Sequence, residues 1–170
     1  MNAPLFAADV GVRPATPADA EAVCTIYNPF VTGTVVTFEE TPVATDEMAA
    51  RIAQVSRTHH WLVATAGGAV AGYAYAGPWR TRAAYREAAE CSVYVAPAHA
   101  RRGVARALYA RLLALLRAQG IHTVIGGIAL PNDASVALHE RMGFAPVAHF
   151  REVGFKFGRR IDVGYWQLLL

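Results

Sequence analysis

The stretch VYVAPAHARRGVARALYARLL, residues 93–113, changes its periodicity halfway along. Val93–Val95 close the short β-favouring run CSVYV, and Pro97 ends it. From Val104 the pattern is helical. Val104, Leu108, Leu112, Leu115 and Leu116 recur at three- and four-residue steps, Arg106 and Arg117 fall on the opposite face, and Gly120 is the stop. A strand therefore runs through Arg101-Arg102-Gly103 straight into a helix. The first N–H groups of a helix have no intrahelical partner, and its dipole is positive at that end. With two guanidinium groups beside them they suit an anion. An ordinary strand-to-helix turn with solvated arginines fits the same spacing. No Gly-Lys-Ser/Thr follows and the three-glycine dinucleotide pattern is missing, which excludes a nucleotide triphosphate loop.

Working outward, the residues before this junction predict a short strand at Val12-Arg13 and a helix. Thr16 is its N-cap, Pro17 takes the first position, and Asp19 sits three after the cap. A second helix is expected in TDEMAARIAQVSRTHH, with Thr45 as cap and Asp46 and Glu47 in the first turn. WLVAT and AVAGYAYAG, joined through glycines, predict a hairpin. After the basic turn and its helix come the strand HTVIGGIAL and a short helix capped by Asn132 and ended at Gly143. Phe144–Leu170 predicts two long antiparallel strands. The apolar tail YWQLLL fits either an internal strand or a subunit interface. Strands alternating with helices, with antiparallel pieces at both ends, indicate a single α/β (α+β) domain over residues 1–170.

The bulk numbers agree with that class. Hydrophobic residues make up 54% of the 170 and charged residues 17%, enough for one sizeable core. The formal charge of +3 suits a small anionic ligand. The arginines are scattered, so no nucleic-acid partner is expected. No apolar run reaches the roughly 18–20 residues of a membrane helix, and MNAPLFAADV lacks the basic start and apolar centre of a leader. Cys24 and Cys91 show no metal-ligand spacing. Two reduced thiols in a cytoplasmic protein, and no metal, are the expectation.

Across residues 100–105 the chain resembles the acetyl-CoA pyrophosphate loop of the GNAT N-acetyltransferase superfamily, Q/R-x-x-G-x-G/A, with Ala100 in the place of the usual Gln or Arg and Ala105 in the last place. TVVTFEE, GPWRTRAAYREAAECSVYV, LPNDASVALHERMGF and REVGFKFGRRIDVGYWQ are similar to the phosphinothricin and methionine sulfoximine acetyltransferase group of that superfamily. The likeness extends from about Arg13 to Gln167.

The resemblance implies a GNAT fold, a central mixed and mostly antiparallel twisted sheet flanked by helices. It implies acetyl-CoA as co-substrate and direct transfer in a ternary complex to the α-amine of a small amino-acid analogue. It assigns Glu90 as general base and His139, in LHERMGF, as a second catalytic group. Val93, Tyr94, Val95, Arg101, Arg102, Gly103, Val104, Ala105, Arg106 and Asn132 are assigned to the cofactor. Phe38, Glu39, Arg80, Thr81, Arg82, Tyr85, Cys91 and Ser92 are assigned to the acceptor. The chemistry is consistent with these assignments. An ammonium must lose a proton before it attacks, and a carboxylate at the mouth of an apolar strand has its pKa raised by desolvation. Arginine forks suit a carboxylate or phosphinate. A solvated Glu90, solvated loop arginines and a purely capping Asn132 are the structural alternatives. A homodimer is the group's common assembly. Acetylation of ordinary amino acids or peptide N-termini, and acyl-CoA sensing without turnover, are the competing functions.

Overall fold

The computed structural model describes residues 10–170, so the reading of residues 1–9 as no leader lies outside the described residues. In chain order the elements are β1 (Gly11–Pro14), α1 (Ala20–Gly33), α2 (Thr45–Val55), β2 (Trp61–Ala66), β3 (Ala69–Pro78), β4 (Ala88–Val95), α3 (Val104–Gln119), β5 (Thr123–Leu130), α4 (Asp133–Arg141), β6 (Ala145–Lys156) and β7 (Arg159–Leu169). The strands form one sheet in the order β1-β2-β3-β4-β5-β7-β6. Every neighbouring pair is antiparallel except β4 and β5, which run parallel.

Each face of the sheet has its own core. On one face Leu108, Leu112 and Leu116 of α3 pack on Leu62, Ala74, Ala89 and Cys91. On the other, Val23, Ile26 and Val31 of α1 and Met48 and Ile52 of α2 cover Val63 and Tyr73. Leu108, Leu112 and Leu116 are fully buried, each contributing about 1.5–3 kcal/mol against an exposed side chain.

Thr16 caps a 3-10 turn, Pro17–Asp19, rather than α1 itself, which follows directly from Ala20 with Asp19 in its cap position. The Asp19 carboxylate accepts from the Thr16 N–H at 2.8 Å and pairs with Arg13 at 2.6 Å. The second helix starts slightly differently from the expectation of Thr45 as cap. Ala44 holds that position and its carbonyl accepts from Met48 N, so Thr45 is the first helical residue. YWQLLL is mostly β7, an internal strand between β5 and β6. Large exposed apolar side chains lie instead on the edge strand β6, where Val147, Phe150, Val153 and Phe155 are each more than half exposed. Among the described residues no helix is long and apolar enough to cross a membrane.

Candidate active site

β4 and β5 pair over only three rungs, Ala88 with Thr123, Ala89 with Val124 and Glu90 with Ile125. Beyond Glu90 each strand continues without the other. β4 still pairs with β3 through Val95, and β5 with β7 through Leu130. Main-chain groups of Cys91–Val95 that would face β5 therefore open onto a gap, and unpaired strand groups are strong hydrogen-bonding positions. The gap is a narrow cavity of about 50 Å³ lined by Ser92, Val93, Tyr94, Ile128, Ala129, Asn132, Ser135 and His139. Asn132 caps α4, its Oδ1 accepting from Ser135 N at 3.1 Å, and still lines this gap.

The basic turn lies beyond the end of β4. Arg101 has φ 62 and Gly103 φ 80, both in the left-handed region, so two successive reversals bring the chain into α3. A side chain at position 103 would meet the penalty that glycine escapes. Arg101 and Arg102 are exposed, and the Gly103 carbonyl accepts from Ala107 N, which leaves the N–H groups of Val104–Arg106 for an outside acceptor.

Glu90 stands where the two strands part. A Cβ placed on Gly127 would lie 3.4 Å from Glu90 Oε1 and 3.2 Å from the Tyr165 ring, so the carboxylate passes over a strand that has no side chain there. Burial raises its pKa above the ordinary carboxylate value, opposed by the positive charge of Arg80. Arg80 stacks on the Trp79 ring at 4.0 Å, and Trp79 meets Tyr165 edge-on at 5.6 Å. Tyr75, half-buried on β3, lies in the electrostatic reach of both Glu90 and Glu39 and stands opposite Ser92 of β4. Glu39 is itself held by Arg51 at 2.7 and 3.1 Å and by the Tyr27 hydroxyl at 2.9 Å. These groups share the α1/α2 face of the sheet.

His139 lies on the other face. A Cβ on Gly126 would fall 2.5 Å from its Nε2. Since neighbouring residues of a strand point to opposite sides, Glu90 and His139 approach β5 from opposite faces. His139 is buried, and its surroundings fix its tautomer. Nδ1 is 2.8 Å from the Ser135 carbonyl, which can only accept, so Nδ1 carries the proton. Nε2 then accepts from the Tyr109 hydroxyl at 3.1 Å, and that oxygen accepts from Cys91 Sγ at 3.5 Å. Burial lowers the His139 pKa, with the Ser135 carbonyl opposing, so the imidazole is neutral near pH 7.

The other expected acceptor residues are spread out. Thr81, Arg82 and Tyr85 are exposed in the segment between β3 and β4. Phe38 packs its ring on Gly154 of β6. The Cys91 thiol faces α3, where burial pushes its pKa to about 12, so it offers no thiolate and only its main chain opens on the gap. Sequence reasoning passed over Tyr75, Tyr109, Tyr165 and Arg51. Tyr109 interrupts the Ala/Leu pattern of α3, the one signal of a buried hydroxyl needing a partner.

Residues 12–164 match the family described as the acetyltransferase (GNAT) domain. The phosphinothricin N-acetyltransferase of Streptomyces viridochromogenes is 43% identical over 93% of this chain and 86% of its own length. The L-methionine sulfoximine/L-methionine sulfone acetyltransferase of Salmonella typhimurium is 39% identical over 94% of each. A solved phosphinothricin acetyltransferase from Sinorhizobium meliloti, in complex with acetyl-CoA, superposes with a TM-score of 0.92 at 35% identity over 96% of this chain and 89% of that one.

Proposed function

The chain belongs to the GNAT acetyltransferase family, and from that premise we propose that it moves the acetyl group of acetyl-CoA to the α-amine of a small amino-acid analogue, of the phosphinothricin, methionine sulfoximine or methionine sulfone type. The observation that carries this reading is the half-buried Glu90 at the point where β4 and β5 separate. It adjoins a gap suited to a thioester on one side and the face holding Arg80, Tyr75 and Tyr165 on the other.

In this reading the open main chain of Cys91–Val95 aligns the pantetheine amides, and Asn132 adds a side-chain contact. The pyrophosphate sits on the Val104–Arg106 N–H groups, with Arg101 and Arg102 supplying charge. Glu90 takes the proton of the acceptor ammonium, directly or through one water. The free amine attacks the thioester carbonyl, the C–N bond forms, and the tetrahedral intermediate expels the thiolate as the C–S bond breaks. The nitrogen's remaining extra proton passes to the sulfur, so that an amide and free CoA thiol result. A carboxylate raised above its ordinary range is better matched to that proton than a solvated one. His139 and Tyr109 stand at the thioester end of the gap, on the leaving-group side. Arg80, with Thr81, Arg82 and Tyr85 beside it, holds the acceptor carboxylate, and Phe38 and Glu39 border its side chain.

Two free, buried cysteines suit a reducing cytoplasm. A second copy docked on β6 would cover Phe150, Val153, Phe155 and the neighbouring Phe157, making a homodimer.

The test is thiol release from acetyl-CoA across phosphinothricin, methionine sulfoximine, methionine sulfone, the common amino acids and short peptides. Turnover on the sulfoximine-type compounds, lost in Glu90→Gln, is the expected result. Turnover on peptides alone overturns the acceptor, and acetyl-CoA binding without turnover on anything makes the chain a sensor. Light scattering reads the dimer.

A further inference from the structure

Lys156 ends β6 and is 1% exposed, an unusual place for an ammonium. Its Nζ donates to the Val31 carbonyl at 2.7 Å and to the Thr37 carbonyl at 2.8 Å. Val31 lies in the last turn of α1, where carbonyls have lost their helical partners and a cation is favoured by the dipole. Thr37 lies six residues further on, at the far side of the bend that follows the helix. One buried cation thus joins both ends of the 31–37 bend and pins it to the β6–β7 hairpin.

What the bend carries gives the contact a purpose. Val36 lines the gap between β4 and β5. The Thr37 hydroxyl is 2.6 Å from Tyr27 OH, which donates to Glu39 at 2.9 Å. Phe38 lies against Gly154, two residues before Lys156, where any Cβ would overlap its ring. Glu39 lines a second cavity of about 230 Å³ with Arg51, Trp61, Tyr73 and Tyr75, and Tyr75 lies within electrostatic reach of Glu90. Residues 36–39 are therefore one wall between the proposed thioester gap and the acceptor face. Packing alone would be served by a methionine, which fills the same volume without burying a charge.

We propose that Lys156 is a positioning residue for acceptor recognition, its buried ammonium fixing the Val36–Glu39 wall against the β6–β7 hairpin. This rests on the acceptor reading above and adds a specificity device to it.

The experiment compares the full-length protein with Lys156→Met and Lys156→Gln. Three readouts are taken: acetyl-CoA binding by calorimetry, hydrogen exchange of the peptide covering 34–40, and acceptor KM and kcat. Lys156→Met is expected to speed exchange in 34–40 and raise acceptor KM roughly tenfold, since small misplacements at a reacting site are costly. Acetyl-CoA affinity should stay within about twofold, as for a retained fold and cofactor cleft. Lys156→Gln, which keeps a donor, recovers part of both changes. Unchanged exchange with unchanged acceptor KM overturns the proposal. So does loss of acetyl-CoA binding in both variants, which would make Lys156 a support of the whole fold. If the parent turns over no sulfoximine-type acceptor, the acceptor reading fails by itself, while the exchange arm still decides whether the ammonium holds the wall.

Discussion

Glu90 and His139 flank the same strand from opposite sides, Glu90 over Gly127 and His139 against Gly126. They cannot exchange a proton directly across β5. In the proposed mechanism, deprotonation of the amine and departure of the thiolate are accordingly separate tasks in space. Glu90→Gln keeps the shape and removes the base, so kcat should fall by about 10²–10⁴. Acetyl-CoA affinity, measured by calorimetry, should barely change.

The pH profile follows from the sign of the Glu90 shift. The proposed mechanism requires the carboxylate, whose pKa burial raises and Arg80 opposes. The acid limb of kcat/KM should therefore lie above the ordinary carboxylate range, with activity gained as pH rises through it. Arg80→Ala removes the opposing charge, so the limb should move to still higher pH. A limb that moves down would remove Arg80 from the neighbourhood of the base.

Tyr109→Phe strips His139 Nε2 of its donor and leaves a buried acceptor unpaired. The expected cost is about 1–3 kcal/mol in stability, read by denaturant titration. Nitrogen NMR gives the sharper check. The parent should show the tautomer protonated at Nδ1, and the variant should show a changed Nε2 signal.

Ala100 precedes the basic turn and is exposed, with an extended backbone of φ −60 and ψ 146. Ala100→Gln places an amide donor where the family has one and should lower the acetyl-CoA dissociation constant by a few-fold, about one neutral hydrogen bond. Arg101→Ala should weaken binding by a similar factor, and the difference from the parent should shrink as salt is raised.

Asp19 ties β1 to α1. Its pairing with Arg13 lowers its pKa from the ordinary 3.8 to about 2. A depressed carboxylate contributes stability above its unfolded pKa and loses it as pH falls through the folded one, here between roughly pH 4 and pH 2. Asp19→Asn should cost about 1–2 kcal/mol at neutral pH, since Arg13 is half exposed, and the difference from the parent should vanish at the acid end.

Much of this architecture was legible because its elements obey simple periods. The α3 stripe, the turn that feeds it and the long final hairpin all follow from patterns of 3.6 and 2. The start of α2 was misplaced by one residue, because the Ala44 carbonyl could accept the first helical bond without a side-chain cap. The site was only partly readable. Glu90 sits in a specific motif, but its separation from His139 depends on which of two adjacent glycines faces which way. Nothing in GG fixes that before β5 has a register. Lys156 gave no signal, and Tyr109 only a break in the Ala/Leu pattern of α3, for a related reason. Their partners lie 18 to 125 residues away, and a local pattern cannot report a burial created by distant chain.

The short pairing of β4 with β5 makes the sheet behave as two panels hinged at one end, four strands on one side and three on the other. A ligand carrying two amides laid along the open edge would act as a guest strand and lock the panels together. The thioester would then be a structural member before it is a reactant. Under the proposed function the expected order of arrival is acetyl-CoA first, tightening the framework, and the amine second, which product-inhibition kinetics would read.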